Sequence, residues 1–365
     1  MGAGAAVTAA PFVNIGSYQL GAAESRRYSK RAIDLVRESV IIDMLAPIKI
    51  DFDPSFYAVP MSAAMEAEFR ASNITGFHHA VGTGGRESVL SFFAIWGNYV
   101  ARHAHLFLAV DKVADLVRAK REGKCAIIMG TQNAEHFARP ADVKFFYEMG
   151  QRCAQLTYNS QNRLGSGSTD RVDGGVSDFG VEIIKAMNDV GMLIDVSHSG
   201  DRTTLDAIAL SPKPIAITHS NCRALIEHPR VKTDEAITAL ARKGGVMGIT
   251  GVRNFVSKTD PTTIVNIGDH IDHIVKLVGI DHAAIGTDSD LWGYDDTSPE
   301  MNKMLRGAYK DSYAFRDKID VDGFDHPRKM FDLTEELIRR RYSDANIKAV
   351  LGGNWQRLLA ATWGG

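Results

Sequence analysis

Cysteine is almost missing from this 365-residue chain. Only Cys125, Cys153 and Cys222 occur, too few and too scattered for a disulfide framework or a cysteine zinc site. Each adjoins an apolar stretch, so buried free thiols are expected. No run of about 18 apolar residues exists either, so no transmembrane segment is expected. An excess of one charge is also lacking. Against 42 Lys and Arg stand 44 Asp and Glu, a net −2 with a pI of about 6.6. That balance gives no electrostatic reason to expect nucleic acid or anionic membrane as a partner. There is no internal repeat, and no low-complexity tract beyond the N-terminal tail.

What remains is a globular composition, 45% hydrophobic and 24% charged. Residues 2–12 (GAGAAVTAAPF) are small and apolar, like the h-region and cleavage region of a secretory signal, but no positively charged n-region precedes them. We expect residues 1–24 to be the remnant of an export signal or a flexible tail. A periplasmic location is then favoured over a cytoplasmic one, and residues 25–365 form one domain.

Short apolar runs alternate with longer helical patterns. The runs are 40–45, 74–81, 125–130, 154–159, 192–197, 214–220, 245–250 and 283–288. Near-continuous apolar runs suit strands buried on both faces of a parallel sheet. Between them, Ser88–His105, Asp111–Arg121, Phe179–Val190, Thr233–Lys243 and Ile264–Val278 carry apolar residues at helical spacing. Eight strands with intervening helices predict an α/β fold, a (β/α)8 TIM-like barrel, with helices Lys329–Tyr342 and Ser343–Thr362 outside it. An open doubly wound sheet is the rival, but no G-x-G-x-x-G follows the first strand. The polar connection 291–328 reads equally as a lid over the barrel mouth or as a solvated surface excursion.

Chemistry in such a barrel sits at the C-terminal strand ends. Strand five ends in Ser197-His198-Ser199, strand six in Thr218-His219-Ser220-Asn221, and strand eight in Thr287-Asp288-Ser289-Asp290. Two histidines on neighbouring strands can bring imidazole nitrogens to one cation at about 2.0–2.1 Å. An aspartate across the mouth could then handle the proton of an attacking water. Of His78-His79, adjacent on a strand, at most one can face the interior, and His79 is a lesser candidate ligand.

The stretches GMLIDVSHSGDRTTLDAI, PIAITHSNCRALIEHPR, DHIDHIVKLVGIDHAAIGTDSD, GQRCAQLTYNSQN and LTEELIRRRYSDANIKAVLGGNWQRLL resemble the membrane (renal) dipeptidase family of zinc hydrolases. The resemblance runs from about residue 34 to 362. It implies a barrel of the metal-dependent hydrolase type that cleaves dipeptides with zinc. By position, His198 and His219 resemble ligands of the family's second zinc, and Asp288 resembles its acid/base. Arg230 resembles the residue that grips the substrate carboxylate, a role suited to a guanidinium. Tyr158 stands where the family has a His or Tyr that contacts the substrate.

The chain departs from that pattern at the first metal. Leu45 and Pro47 occupy the positions of a His and an Asp ligand, and Gln132 replaces a bridging Glu. Gln132 could still offer a carbonyl oxygen, but without charge the site should hold zinc more weakly. One divalent ion, zinc by resemblance, is therefore expected rather than two, with Asp51 and Asp53 as weaker candidates for a replacement carboxylate. The leading expectation is a hydrolase acting on a dipeptide or related small amide bearing a carboxylate. The rivals are a metal-free acid/base enzyme of isomerase or lyase type, and a non-catalytic binder of a small ligand. Nothing in the sequence decides whether the chain forms a homo-oligomer.

Overall fold

The computed structural model describes residues 16–20, 26–50, 58–82 and 84–364. Of residues 1–24, read as an export-signal remnant or tail, only 16–20 fall among them, and Asp51 and Asp53 lie outside. The apolar runs become a parallel sheet of eight strands in sequence order. These are β1 (Ile41–Asp43), β2 (Ile74–Val81), β3 (Cys125–Thr131), β4 (Gln151–Gln155), β5 (Leu193–Asp195), β6 (Ala216–Ser220), β7 (Val246–Ile249) and β8 (Ala283–Ile285). The two edges meet where Met44 N donates to Ile285 O at 3.1 Å and Asp288 N donates to Leu45 O at 2.8 Å. That closes the sheet into the expected (β/α)8 barrel. A short strand, Phe107–Ala109, pairs in parallel with the start of β3.

Several of the helices that follow the strands begin at a capping side chain. Ser177 caps helix Asp178–Val190 and Thr233 caps Asp234–Arg242, each side chain accepting a backbone N–H three residues on. Thr263 and Asn266 form a capping box at the head of Ile264–Val278. Helices Ala63–Ser72, Ala141–Glu148 and Asp201–Leu210 are additions to the sequence reading. The last predicted helix is broken at Ala349–Gly353 and resumes as Asn354–Trp363.

Strand four needs a correction. It begins at Gln151, not Ala154, and residues 156–159 leave the sheet toward the mouth. Gln151 and Arg152 look too polar for a buried strand, but their heads are satisfied. Gln151 bonds Thr131 Oγ1 at 3.0 Å and His136 Nε2 at 3.1 Å, and Arg152 donates to Asp111 O and Tyr147 O, both at 2.8 Å.

Ile42, Ala126, Ile128, Cys153, Leu193, Ala216, Val246 and Ala284 share one apolar cluster inside the barrel with Trp355, Leu358 and Leu359 of the last helix. That helix caps the N-terminal strand ends, where Asn354 Nδ2 reaches Ala283 O at 2.8 Å and Trp363 Nε1 reaches Arg152 O at 3.1 Å. A larger cluster packs the helices on the outside. All three cysteines are free and buried, Cys153 in the interior cluster and Cys125 and Cys222 in the outer one. Among the described residues no helix is long and apolar enough to cross a membrane.

Segment 291–328 is a lid. It carries helix Pro299–Gly307 and returns by isolated bridges at Val252–Asp320 and Thr263–Asp322. Tyr313 and Ile319 pack into an apolar cluster with Ile226, Val231, Val252 and Phe255 from the loops after β6 and β7. The Tyr313 carbonyl accepts from His228 Nε2 at 3.0 Å and from Asn254 Nδ2 at 2.6 Å.

Candidate active site

The site grows from the ends of β5 and β6. His198 and His219 are fully buried, with their Nε2 atoms 2.9 Å apart. His198 Nδ1 lies 2.7 Å from Asn159 Oδ1, an acceptor, so that nitrogen carries its proton. His219 Nδ1 lies 2.8 Å from Thr218 Oγ1. The Thr218 hydroxyl donates its single hydrogen to Asp195 Oδ2 at 2.6 Å, so toward His219 it accepts. Both imidazoles therefore hold Nδ1–H and turn bare Nε2 lone pairs toward each other. Such lone pairs repel unless a proton or a metal cation lies between them. Burial first, then the Arg230 charge, holds both histidines well below the usual imidazole range. Neutral imidazoles are what a metal requires.

Tyr158 stacks on His198 with ring centroids 4.0 Å apart and reaches Tyr309 of the lid, hydroxyl to hydroxyl, at 2.8 Å. Burial raises the phenol pKa of Tyr158, Tyr294, Tyr309 and Tyr313 alike. The mouth is thus lined by neutral hydroxyls.

Arg230 is fully buried. It donates to the carbonyls of Ser197 and His219, and its Nε–H has no partner. Asp288 follows Thr287 at the end of β8, its backbone in the left-handed region at φ 59°. Such a conformation in a non-glycine residue stores strain and recurs at functional sites. Burial pushes its carboxyl up to about 7; Arg230 opposes that, while the charges of Asp43 and Asp195 add to it.

Gln132 lies just past β3, its N–H donating to Val81 O at 2.8 Å and its carbonyl accepting from Gln155 Nε2. Of the adjacent histidines, His78 faces the interior, its ring so close over Gly130 that a Cβ there would stand 2.2 Å from Nε2. His79 turns outward between Phe92 and Trp96, with Nδ1 accepting from Ile48 N at 3.2 Å. It is a packing residue, which corrects its candidacy as a ligand.

Four residues hydrogen-bonded to the candidate residues or to their chain neighbours were not singled out from the sequence: Asn159, Asp195, Asp43 and Tyr309. Asn159 directly follows Tyr158 and carried the best available signal. The others act across chain separations that no local pattern displays.

Tested against a metal, the imidazole pair offers two converging donors. Two ligands at about 2.05 Å with tetrahedral angles stand roughly 3.3 Å apart, within a few tenths of an ångström of the observed pair. Leu45 and Pro47, at the end of β1, carry no donor. Among the described residues no group of three or more His, Cys, Asp or Glu is gathered to hold a metal ion.

Fold and site together define a TIM-like barrel with an imidazole pair and an aspartate at its C-terminal mouth. The membrane dipeptidase family (peptidase family M19) matches residues 63–305, and the chain belongs to that family. A dipeptidase, verJ, from Clonostachys rogersoniana is 30% identical over 242 residues, 66% of this chain and 56% of its own length. An uncharacterized dipeptidase from Schizosaccharomyces pombe is 33% identical over 189 residues, 50% of this chain and 45% of its own length. The chain thus spans about half the length of the curated relatives it matches. Among solved structures, an amidohydrolase from Pseudomonas aeruginosa superposes with a TM-score of 0.81 at 30% identity, covering 92% of this chain and 99% of that one. A metallopeptidase from Rhodobacter sphaeroides, liganded with a phosphinate mimic of L-Ala-D-Ala, shares the fold at a TM-score of 0.70 and 16% identity, covering 88% and 99%.

Proposed function

We propose that this protein is a dipeptidase-like hydrolase that cleaves a dipeptide or related small amide bearing a carboxylate, with one divalent cation, zinc by family. The observation that carries the reading is the pair of bare Nε2 lone pairs converging at 2.9 Å. His198 and His219 would hold the cation, with the Gln132 carboxamide as a neutral neighbour. When bound, it would supply Lewis-acid polarisation of water and of the scissile carbonyl.

The remaining steps belong to the chain's own side chains. Asp288, with a carboxyl near 7, takes a proton from the attacking water and passes it to the leaving amine. The unpartnered Arg230 Nε–H supports electrostatic capture of the substrate carboxylate, which would satisfy a buried donor that now has none. Tyr158, flat against His198, offers its hydroxyl to the substrate once Tyr309 releases it. The lid excludes water during reaction.

The test is metal analysis of the purified chain beside a panel of dipeptides. We expect close to one divalent ion per chain, and loss of both metal and turnover in His219→Ala. Turnover that survives chelation in metal-free protein would overturn the reading.

A further inference from the structure

Two carboxylates outside the reacting groups share one geometry. Asp43, at the end of β1, accepts with Oδ1 from Thr287 N at 2.7 Å and with Oδ2 from Thr287 Oγ1 at 2.6 Å. Asp195, at the end of β5, accepts with Oδ1 from Thr218 N at 3.0 Å and with Oδ2 from Thr218 Oγ1 at 2.6 Å. Each therefore takes both donors of a threonine on the neighbouring strand, and each threonine immediately precedes a site residue, Asp288 or His219. Asp195 Oδ1 also accepts from Ser197 N at 2.9 Å and Ser197 Oγ at 2.6 Å, and Ser197 Oγ in turn accepts from His219 N at 3.0 Å. Ser197 precedes His198, so one carboxylate sets both histidines.

We propose that Asp43 and Asp195 are positioning residues, each clasping the threonine before a site residue and so fixing where that residue points. Three observations carry this beyond ordinary strand pairing. A buried carboxylate with two charge-assisted bonds to one residue leaves it a single orientation. The Thr218 hydroxyl, its hydrogen held by Asp195, can only accept from His219, which decides the tautomer and hence where the lone pair lies. Asp288 is kept in a left-handed backbone conformation, φ 59°, which surrounding structure must impose. The Asp43–Thr287 clasp sits one residue away, and Asp288 N is tied to Leu45 O. Lys329, buried beside Asp43, donates to Ser289 Oγ and Asp290 O at 3.1 and 2.6 Å and gives that buried negative charge a counter-charge.

The proposal deepens the dipeptidase reading, and its test has one arm that does not depend on turnover. Thr287→Val and Thr218→Val each remove a hydroxyl at nearly constant shape, while the Thr→Ser versions restore it. Thr334→Val deletes an equally buried hydroxyl, bonded to Met330 O at 2.7 Å, as a control for stability alone. Displacement of a reacting group by about 1 Å can lower rate roughly 100-fold. We expect Thr287→Val to lose ten- to hundredfold in kcat with little change in KM, on that same roughly 100-fold scale. Thr287→Ser and Thr334→Val should stay near the parent. In the second arm, 15N-histidine NMR of the full chain after chelation reads the His219 tautomer. It should be Nδ1–H in the parent and in Thr218→Ser, and shift to Nε2–H in Thr218→Val. If Thr287→Val matches Thr334→Val in kcat and Thr218→Val keeps the Nδ1–H form, the clasps only hold the barrel together and the proposal fails. A parent chain that cleaves no dipeptide overturns the dipeptidase reading alone, and the tautomer arm still decides this one.

Discussion

In the proposed hydrolysis, Asp288 carries the heaviest load of any single side chain. Its proton is held more tightly than in an ordinary carboxyl, near 7 against the usual 3.8. A base works only after losing that proton, so kcat/KM should rise with pH through about 7 and level off above it. His198 and His219 are held well below the ordinary imidazole range and add no second limb between pH 6 and 8, near their usual titration. The same shift acts on stability with the opposite sense. A raised acid favours the folded state at low pH, and that contribution is lost as pH climbs through the folded value. Asp288→Asn should lower turnover about 10²- to 10⁴-fold, the usual worth of a general base. A flat pH profile from 5 to 8 in the parent would remove Asp288 from the mechanism. At this scale the positions of the candidate residues were legible in the sequence. The histidines and Asp288 stand at strand ends where any barrel keeps its chemistry. Asp43 and Asp195 were not, because their partners follow 244 and 23 residues later and only strand pairing brings them together.

Among the elements, β6, β7 and β8 converge on one backbone carbonyl. A Cβ on Gly286 would stand 1.8 Å from Thr218 O, and one on Gly248 would stand 2.1 Å from it. Backbone cannot yield as a side-chain tip does, so Gly286→Ala must displace β6 or β8. We expect a loss of about 1–3 kcal/mol, typical of overpacking, measured by denaturant unfolding, together with impaired metal retention because His219 follows Thr218. An unchanged midpoint with full metal content would show that the strands have slack there. Most strands were readable because apolar runs buried on both faces need no alternation. β4 was misplaced because its first two residues are polar yet satisfied. The lid was only half readable. Its aromatics were visible, but the contact of Tyr309 with Tyr158 spans 151 residues and has no local signature.

Over the whole molecule, the barrel is chemical at one end and apolar at the other. Trp355 is fully buried in the interior cluster, and its Nε1 donates to Ile285 O at 2.9 Å. Trp355→Ala should cost about 3–5 kcal/mol, the usual range for a buried aromatic, seen as a lowered unfolding midpoint, while the metal proposed for His198 and His219 should be retained in the folded fraction. If metal and fold were lost in separate transitions, the two ends would be independent units rather than one cooperative barrel. The barrel also came with its own reporters. Burial raises the pKa of all three thiols, Cys125 to about 12, so an alkylating reagent finds almost no thiolate in the native state. Cys153 lies in the interior and the other two in the jacket of helices, so the order in which they are modified under mild denaturant records which layer parts first. That order can be followed by mass spectrometry with no label introduced.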